Sequence, residues 1–196
     1  MHTDAAVIPN VTSKRNQTVN TSHYPAAPAA QGIESHTLCV LVDNEPGVLA
    51  RVIGLFSGRG YNIDSLTVSE TEHQKHVSRI TIVTTGTPMV IEQIKHQLDR
   101  MIPVYRVVDM TTAGRSLERE LAMVKVRGSG DPRVESLRLA EAFRARVIDA
   151  STESFVFEIT GNTAKINQFI DLMRPIGLVE VSRTGVAAIG RGPEGM

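Results

Sequence analysis

Tryptophan is absent from the 196 residues, and phenylalanine and tyrosine make up only 4% of them. A chain so poor in aromatics offers no stacking platform for nucleic-acid bases. It has no excess charge either: 21 lysines and arginines face 21 aspartates and glutamates. No net field draws it to nucleic acid or to an anionic membrane. Cysteine occurs once, at Cys39, which excludes an intrachain disulfide framework and suits a reducing compartment such as the cytoplasm. No apolar run approaches the roughly eighteen residues that span a bilayer. What remains is ordinary globular material, 41% hydrophobic and 21% charged, long enough for one large or two small domains.

Residues 1–34 read as a disordered extension, rich in Thr, Ser, Asn, Ala and Pro and without apolar periodicity. The segment has no contiguous apolar stretch of the kind a secretory signal needs, and only Lys14 and Arg15 hint at an organelle address. Three N-x-[ST] matches (Asn10, Asn16, Asn20) are short enough to arise by chance.

From there the spacing of apolar residues predicts a repeating order. Leu38, Val40 and Val42 alternate as in a half-buried strand. After Pro46, Val48, Leu49, Val52, Ile53 and Phe56 recur at helical spacing, with Pro46 beside the first turn and Gly58 or Gly60 at the end. Strands over 62–70 and 76–85 form a hairpin, a helix follows Pro88, and a strand covers 104–110. This β-α-β-β-α-β order predicts a ferredoxin-like sandwich, a sheet covered on one face by two helices.

A linker over 112–119 leads to the same order again. The expected elements are a strand at 120–126 and a helix capped by Asp131-Pro132 that includes Val134, Leu137 and Phe143. Strands at 146–150 and 155–160, a helix around Ile166 to Met173 and a strand at 178–182 complete it. The predicted fold class is therefore α+β, two ferredoxin-like βαββαβ domains in tandem. They span 35–111 and 120–187, and 188–196 forms a flexible tail.

One junction stands out. Asn44-Glu45-Pro46-Gly47 joins a strand to a helix, where free N–H groups attract an anion and a glycine lets it approach. Asn44 and Asn62 can add amides, and Val48, Leu49 and Ile63 can receive an apolar side chain. The arrangement suits the polar end of an amino acid. It equally suits a purely structural turn in which Asn44 caps the helix.

Other motifs carry less. Gly190-Arg191-Gly192-Pro193-Glu194-Gly195 matches the letters of a dinucleotide fingerprint but contains a proline and precedes no helix. Gly128-Ser129-Gly130 lacks the lysine of a phosphate loop, and His73 and His76 lack further metal ligands. Cys39, within a strand, reads as an inert buried thiol. Neither a catalytic constellation nor a metal site is predicted.

The run Asn44 to Phe56 (NEPGVLARVIGLF), followed by Arg59 to Leu66 (RGYNIDSL), closely resembles the regulatory small subunit of acetolactate synthase, also called acetohydroxyacid synthase. The similarity continues through Glu118-Arg119-Glu120-Leu121, Val124-Lys125-Val126 and Arg183-Thr184-Gly185-Val186, covering about residues 36–192. The resemblance implies an ACT domain in the first half, the module of amino-acid sensors, forming a homodimer. It implies no catalysis by this chain itself. The chain would activate a catalytic large subunit, a transferase, and confer feedback inhibition by valine or another branched-chain amino acid. Thiamine diphosphate, Mg²⁺ and FAD would reside in that catalytic partner. By the same resemblance the effector contacts are Asn44, Gly47, Val48, Leu49, Asn62 and Ile63. The alternative is a free-standing ACT-type sensor acting on another protein.

Overall fold

In the computed structural model, residues 32–72, 76–114 and 116–196 are described. The first half contains β1 (Glu34–Asp43), α1 (Val48–Arg59), β2 (Ser65–Glu72), β3 (Val77–Gly86), α2 (Pro88–Asp99) and β4 (Val104–Asp109). The sheet order is β2-β3-β1-β4, antiparallel throughout. The second half repeats it with β5 (Ser116–Arg127), α3 (Asp131–Phe143), β6 (Arg146–Ala150), β7 (Ser154–Gly161), α4 (Thr163–Gly177) and β8 (Leu178–Arg183) in the order β6-β7-β5-β8. A ninth strand, β9 (Ala187–Gly190), pairs with the first residues of β5. The tandem ferredoxin-like fold is thus present, and both halves belong to one compact unit, Gln31–Met196.

Each half has its own core. In the first, Leu38, Val40 and Val42 of β1 meet Val48, Val52 and Phe56 of α1 and Ile91, Ile94 and Leu98 of α2. The α1 stripe is narrower than its sequence predicts. Val48, Val52 and Phe56 are buried, one turn apart, whereas Leu49 and Ile53 are 37% and 38% exposed. Residues one position along lie about 100° further round the helix, beyond the strip that the sheet covers. In α3 the difference is larger. Ser136 and Ala140 face the core, while Val134 and Leu137 are 49% and 39% exposed. Small side chains let α3 lie close, and Phe143 completes the contact by tilting onto Phe169, with centroids 5.4 Å apart. The start of α3 also shifts by one residue. Gly130 is the N-cap, Asp131 opens the helix and Pro132 follows.

β1 is buried on both faces, which its alternation does not predict. Thr37 and Cys39 point away from the helices, yet they are 5% and 0% exposed. The cover comes from the ribbon of β9 and the start of β5. Ala188 and Met110 pack on Cys39, and the Arg79 guanidinium donates to the Ala188 carbonyl at 3.3 Å. Consequently Ser116–Arg119, expected in a linker, and Ala187–Gly190, expected largely in a flexible tail, are paired strands. One side of this ribbon lies on the sheet, with Ala188 6% exposed, while Leu117 and Ile189, 38% and 58% exposed, face outward. Of the expected N-terminal extension, residues 1–31, with Asn10, Asn16 and Asn20, lie outside the described residues; Glu34 already begins β1.

Candidate functional site

Val48 N–H donates to the Glu45 carbonyl at 3.3 Å across Pro46-Gly47, and Gly47 has φ 88°, ψ −9°. Proline second, glycine third with positive φ and a closing bond of this kind define a type II turn. Pro46 therefore shapes the turn and precedes the helix, which begins at Val48 with Gly47 as its N-cap. No side chain caps α1, and its first turn carries no acidic residue. Its orphan N–H groups face outward from an exposed loop, where a carboxylate would complete them. A capping role for Asn44 is excluded by this geometry. Its backbone N–H donates to the His76 carbonyl at 2.6 Å, and its side chain is exposed.

Val48 is 2% exposed with its side chain in the core, so it offers a ligand only backbone. Leu49, one step round the helix, is the exposed apolar neighbour. Beside the turn, the Tyr105 hydroxyl donates to Asp43, and this carboxylate raises the phenol's pKa above its ordinary value. Asp43 and Glu45 flank Asn44 with negative charge suited to an ammonium group.

Asn62 lies in the loop before β2, which starts at Ser65, later than its apolar pattern suggests. The delay has a local cause. The Asn62 amide donates to Asp64, whose other carboxylate oxygen accepts from the Thr85 hydroxyl at 2.6 Å. The buried Thr84 hydroxyl donates to the Asn62 carbonyl at 2.6 Å, and Asp64 N–H reaches Val83 at 2.8 Å. Ile63 packs partly against the core. Asp64, Thr84 and Thr85 thus fix the Asn62 loop. Sequence reasoning missed them, since Thr84 and Thr85 reach this loop only through the pairing of β2 with β3.

The structure brings Asn44, Gly47, Val48 and Leu49 together and Asn62 and Ile63 together, but not the two groups within one chain. Asn44 is tied to His76, at one end of β3, and Asn62 to Thr84, near the other. That span of strand is roughly 25 Å at the usual rise per residue. A single amino acid cannot bridge it.

The remaining candidates stay minor. His76 is exposed and faces Glu70 at 4.0 Å, while His73 lies outside the described residues. Burial pushes the Cys39 thiol up from its ordinary pKa. No group of three or more His, Cys, Asp or Glu side chains poised for a metal occurs among the described residues. Among them too, no helix is long and apolar enough to cross a membrane.

A ferredoxin-like sheet with an uncapped helix start at its corner, followed by a second domain of the same order, is the architecture of an ACT-bearing regulatory protein. Residues 38–106 match the family described as the AHAS small subunit-like ACT domain, and residues 119–192 match the small subunit of acetolactate synthase. The acetolactate synthase small subunit of Mycobacterium leprae is 46% identical over 165 residues, spanning 84% of this chain and 96% of that one. A protein of Archaeoglobus fulgidus described as a probable acetolactate synthase small subunit is 48% identical over 157 residues, 80% and 97% of the two chains. The crystal structure of the small subunit from Thermotoga maritima superposes with a TM-score of 0.74 at 38% identity, covering 82% of this chain and 99% of that one.

The chain belongs to the acetolactate synthase small-subunit family. Its role is regulatory, as a subunit of an enzyme whose catalytic large subunit is its partner.

Proposed function

We propose that this chain raises the activity of the acetolactate synthase catalytic subunit and makes it inhibitable by valine or another branched-chain amino acid, held where two copies of the first domain meet. The observation that carries this reading is the free edge of β2. Like β4 it is an outermost strand of its sheet, and among the described residues it pairs only with β3; unpaired edges invite pairing with another copy. Glu72 pairs with Val77, which pairs with Asp43, so the far end of β2 lies at the Asn44 corner. Ser65 begins the other end, just after Asn62. Antiparallel pairing of two β2 edges about a two-fold axis lays the start of one on the end of the other. Asn62 of one copy then approaches the Asn44 corner of its mate, and the distance that defeats a single chain disappears.

In that arrangement the effector's carboxylate takes the orphan N–H groups of α1 beyond Gly47, worth about 0.3–2 kcal/mol from the helix dipole. Its ammonium group lies among Asn44, Asp43 and Glu45, Asn62 donates from the other copy, and the apolar side chain meets Leu49 and Ile63. A molecule bound across the seam favours one packing of the two copies over others, which is how binding becomes regulation. Thiamine diphosphate, Mg²⁺ and FAD belong, on this reading, to the catalytic subunit.

The test mixes two variants. Asn44→Ala and Asn62→Ala chains should each lose valine binding as homodimers. A refolded equal mixture should regain about one quarter of the wild-type sites, since half the dimers are mixed and each has one intact site of two. Calorimetric titration that finds no recovery in the mixture, with both variants folded, refutes the shared site.

A further inference from the structure

We propose that the segment Thr184–Val186 of the second domain is a clamp that positions the Asn62 half of the effector site, with Gly185 setting its seat. The inference rests on the reading of Asn62 as an effector contact.

The clamp is bonded on both sides. Towards the second domain, Thr184 N–H donates to the Leu121 carbonyl at 3.0 Å and its hydroxyl accepts from Leu121 N–H at 3.1 Å. Arg183, just before it, donates to Glu120 at 3.1 Å and to Asn167 at 2.8 Å. Towards the first domain, Val186 N–H donates to the Ser65 hydroxyl at 3.0 Å, and the Thr67 hydroxyl donates to the Thr184 carbonyl at 3.2 Å. Gly185 lies between these two bonds with φ 83°. A Cβ there would stand 2.7 Å from both Ser65 Oγ and Thr67 Oγ1 and 3.4 Å from the Leu66 carbonyl oxygen. Only a residue without a side chain lets the backbone come down onto β2.

Ser65 is the first residue of β2, and the residue before it, Asp64, holds the Asn62 amide. The path from β5 to Asn62 therefore runs through hydrogen-bonded groups and neighbouring residues of the chain. Beside it lies an interdomain cleft of about 410 Å³, lined by Asp64, Ser65, Glu120, Thr163, Arg183 and Gly185 among others. Solid packing does not hold the start of β2 against the second domain at this place. The clamp bonds do, and they add a hold from the second domain to the one that Thr84 and Thr85 give the Asn62 loop within the first. Coupling between sites is reciprocal. An effector that draws on Asn62 is felt at β5, and a change in the clamp alters effector affinity.

The experiment titrates valine into the full-length protein by calorimetry and follows amide hydrogen exchange by mass spectrometry. Gly185→Ala, which must lift the clamp, should weaken valine about tenfold. Ser65→Ala combined with Thr67→Val removes two bonds without adding bulk and should weaken it roughly three- to tenfold. In both variants the Asn62–Asp64 peptide should exchange faster while the Asp43–Val48 peptide keeps its wild-type rate, a split that general loosening would not produce. If Gly185→Ala does not fold, the double variant decides alone. Wild-type affinity in the clamp variants, with Asn62→Ala still defective, overturns the clamp and leaves the effector site standing. Wild-type affinity in Asn62→Ala itself overturns both.

Discussion

Replacing Gly47 by alanine separates the backbone role of this residue from its role beside a ligand. At φ 88° an added Cβ meets nothing within 4 Å, so no clash enters the reckoning. The cost is the left-handed backbone alone, about 1–2 kcal/mol for a residue with a side chain. In a folded unit of this size each kcal/mol lowers the unfolding midpoint by about 2–4 °C. Gly47→Ala should therefore melt about 2–8 °C below wild type in the absence of effector. The same Cβ projects at the mouth of the uncapped α1 turn, so the rise in melting temperature that saturating valine should give the wild type on the proposed reading should vanish. Gly47→Asn provides the control. Asparagine tolerates positive φ, so most of the stability should return while the valine response stays lost. Differential scanning calorimetry of the three proteins with and without valine reads both effects. A wild-type midpoint for Gly47→Ala would refute the turn geometry, and a full valine shift in both variants would refute the ligand's place at this glycine.

Two further perturbations address the second domain. Glu120 is 3% exposed at its side chain and is held by the partly exposed Arg183, so Arg183→Met strands a buried carboxylate. It should cost about 3 kcal/mol in urea denaturation, with a smaller loss when Glu120→Gln accompanies it; a double variant less stable than the single would show that burial of Glu120 is not the cause. Lys125 donates to Glu180 at 2.6 Å and holds this carboxylate below its usual pKa. A depressed folded pKa means that the pair's contribution is present above the ordinary glutamate range and lost as pH falls through the folded value. Lys125→Met should return the Glu180 titration to the ordinary range by NMR and leave the thermal midpoint unchanged, because exposed pairs are well screened; an unmoved titration would contradict it.

Much of the fold was legible because local rules agree with one another. Leu38, Val40 and Val42 mark a strand face, Ile91, Ile94 and Leu98 mark a helix stripe, and Pro46-Gly47 marks a turn whatever surrounds it. The errors have one source in common. β1 looked half-buried, residues 116–119 looked like a linker and 188–190 like a fraying end. Each is explained by the β5–β9 ribbon lying on the helix-free face of the first sheet, a contact between segments far apart in sequence. Val134 and Leu137 lie in the expected helix yet stay exposed for a related reason: apolar spacing locates a helix, but the neighbouring elements choose which face is covered.

The sequence by itself determined that two βαββαβ units follow one another, that glycine and proline shape the β1–α1 junction, and that the chain resembles a particular regulatory family. Such features depend on residues within one turn, one strand or one contiguous motif. Only the tertiary structure decided that Asn44 is free of the helix cap, that Val48 turns inward, and that Asn62 stands at the opposite end of the sheet. It alone seats Gly185 on Ser65 and Thr67. Those relations come from strand register and from the packing of one domain on another, and neither is encoded in the spacing of neighbouring residues.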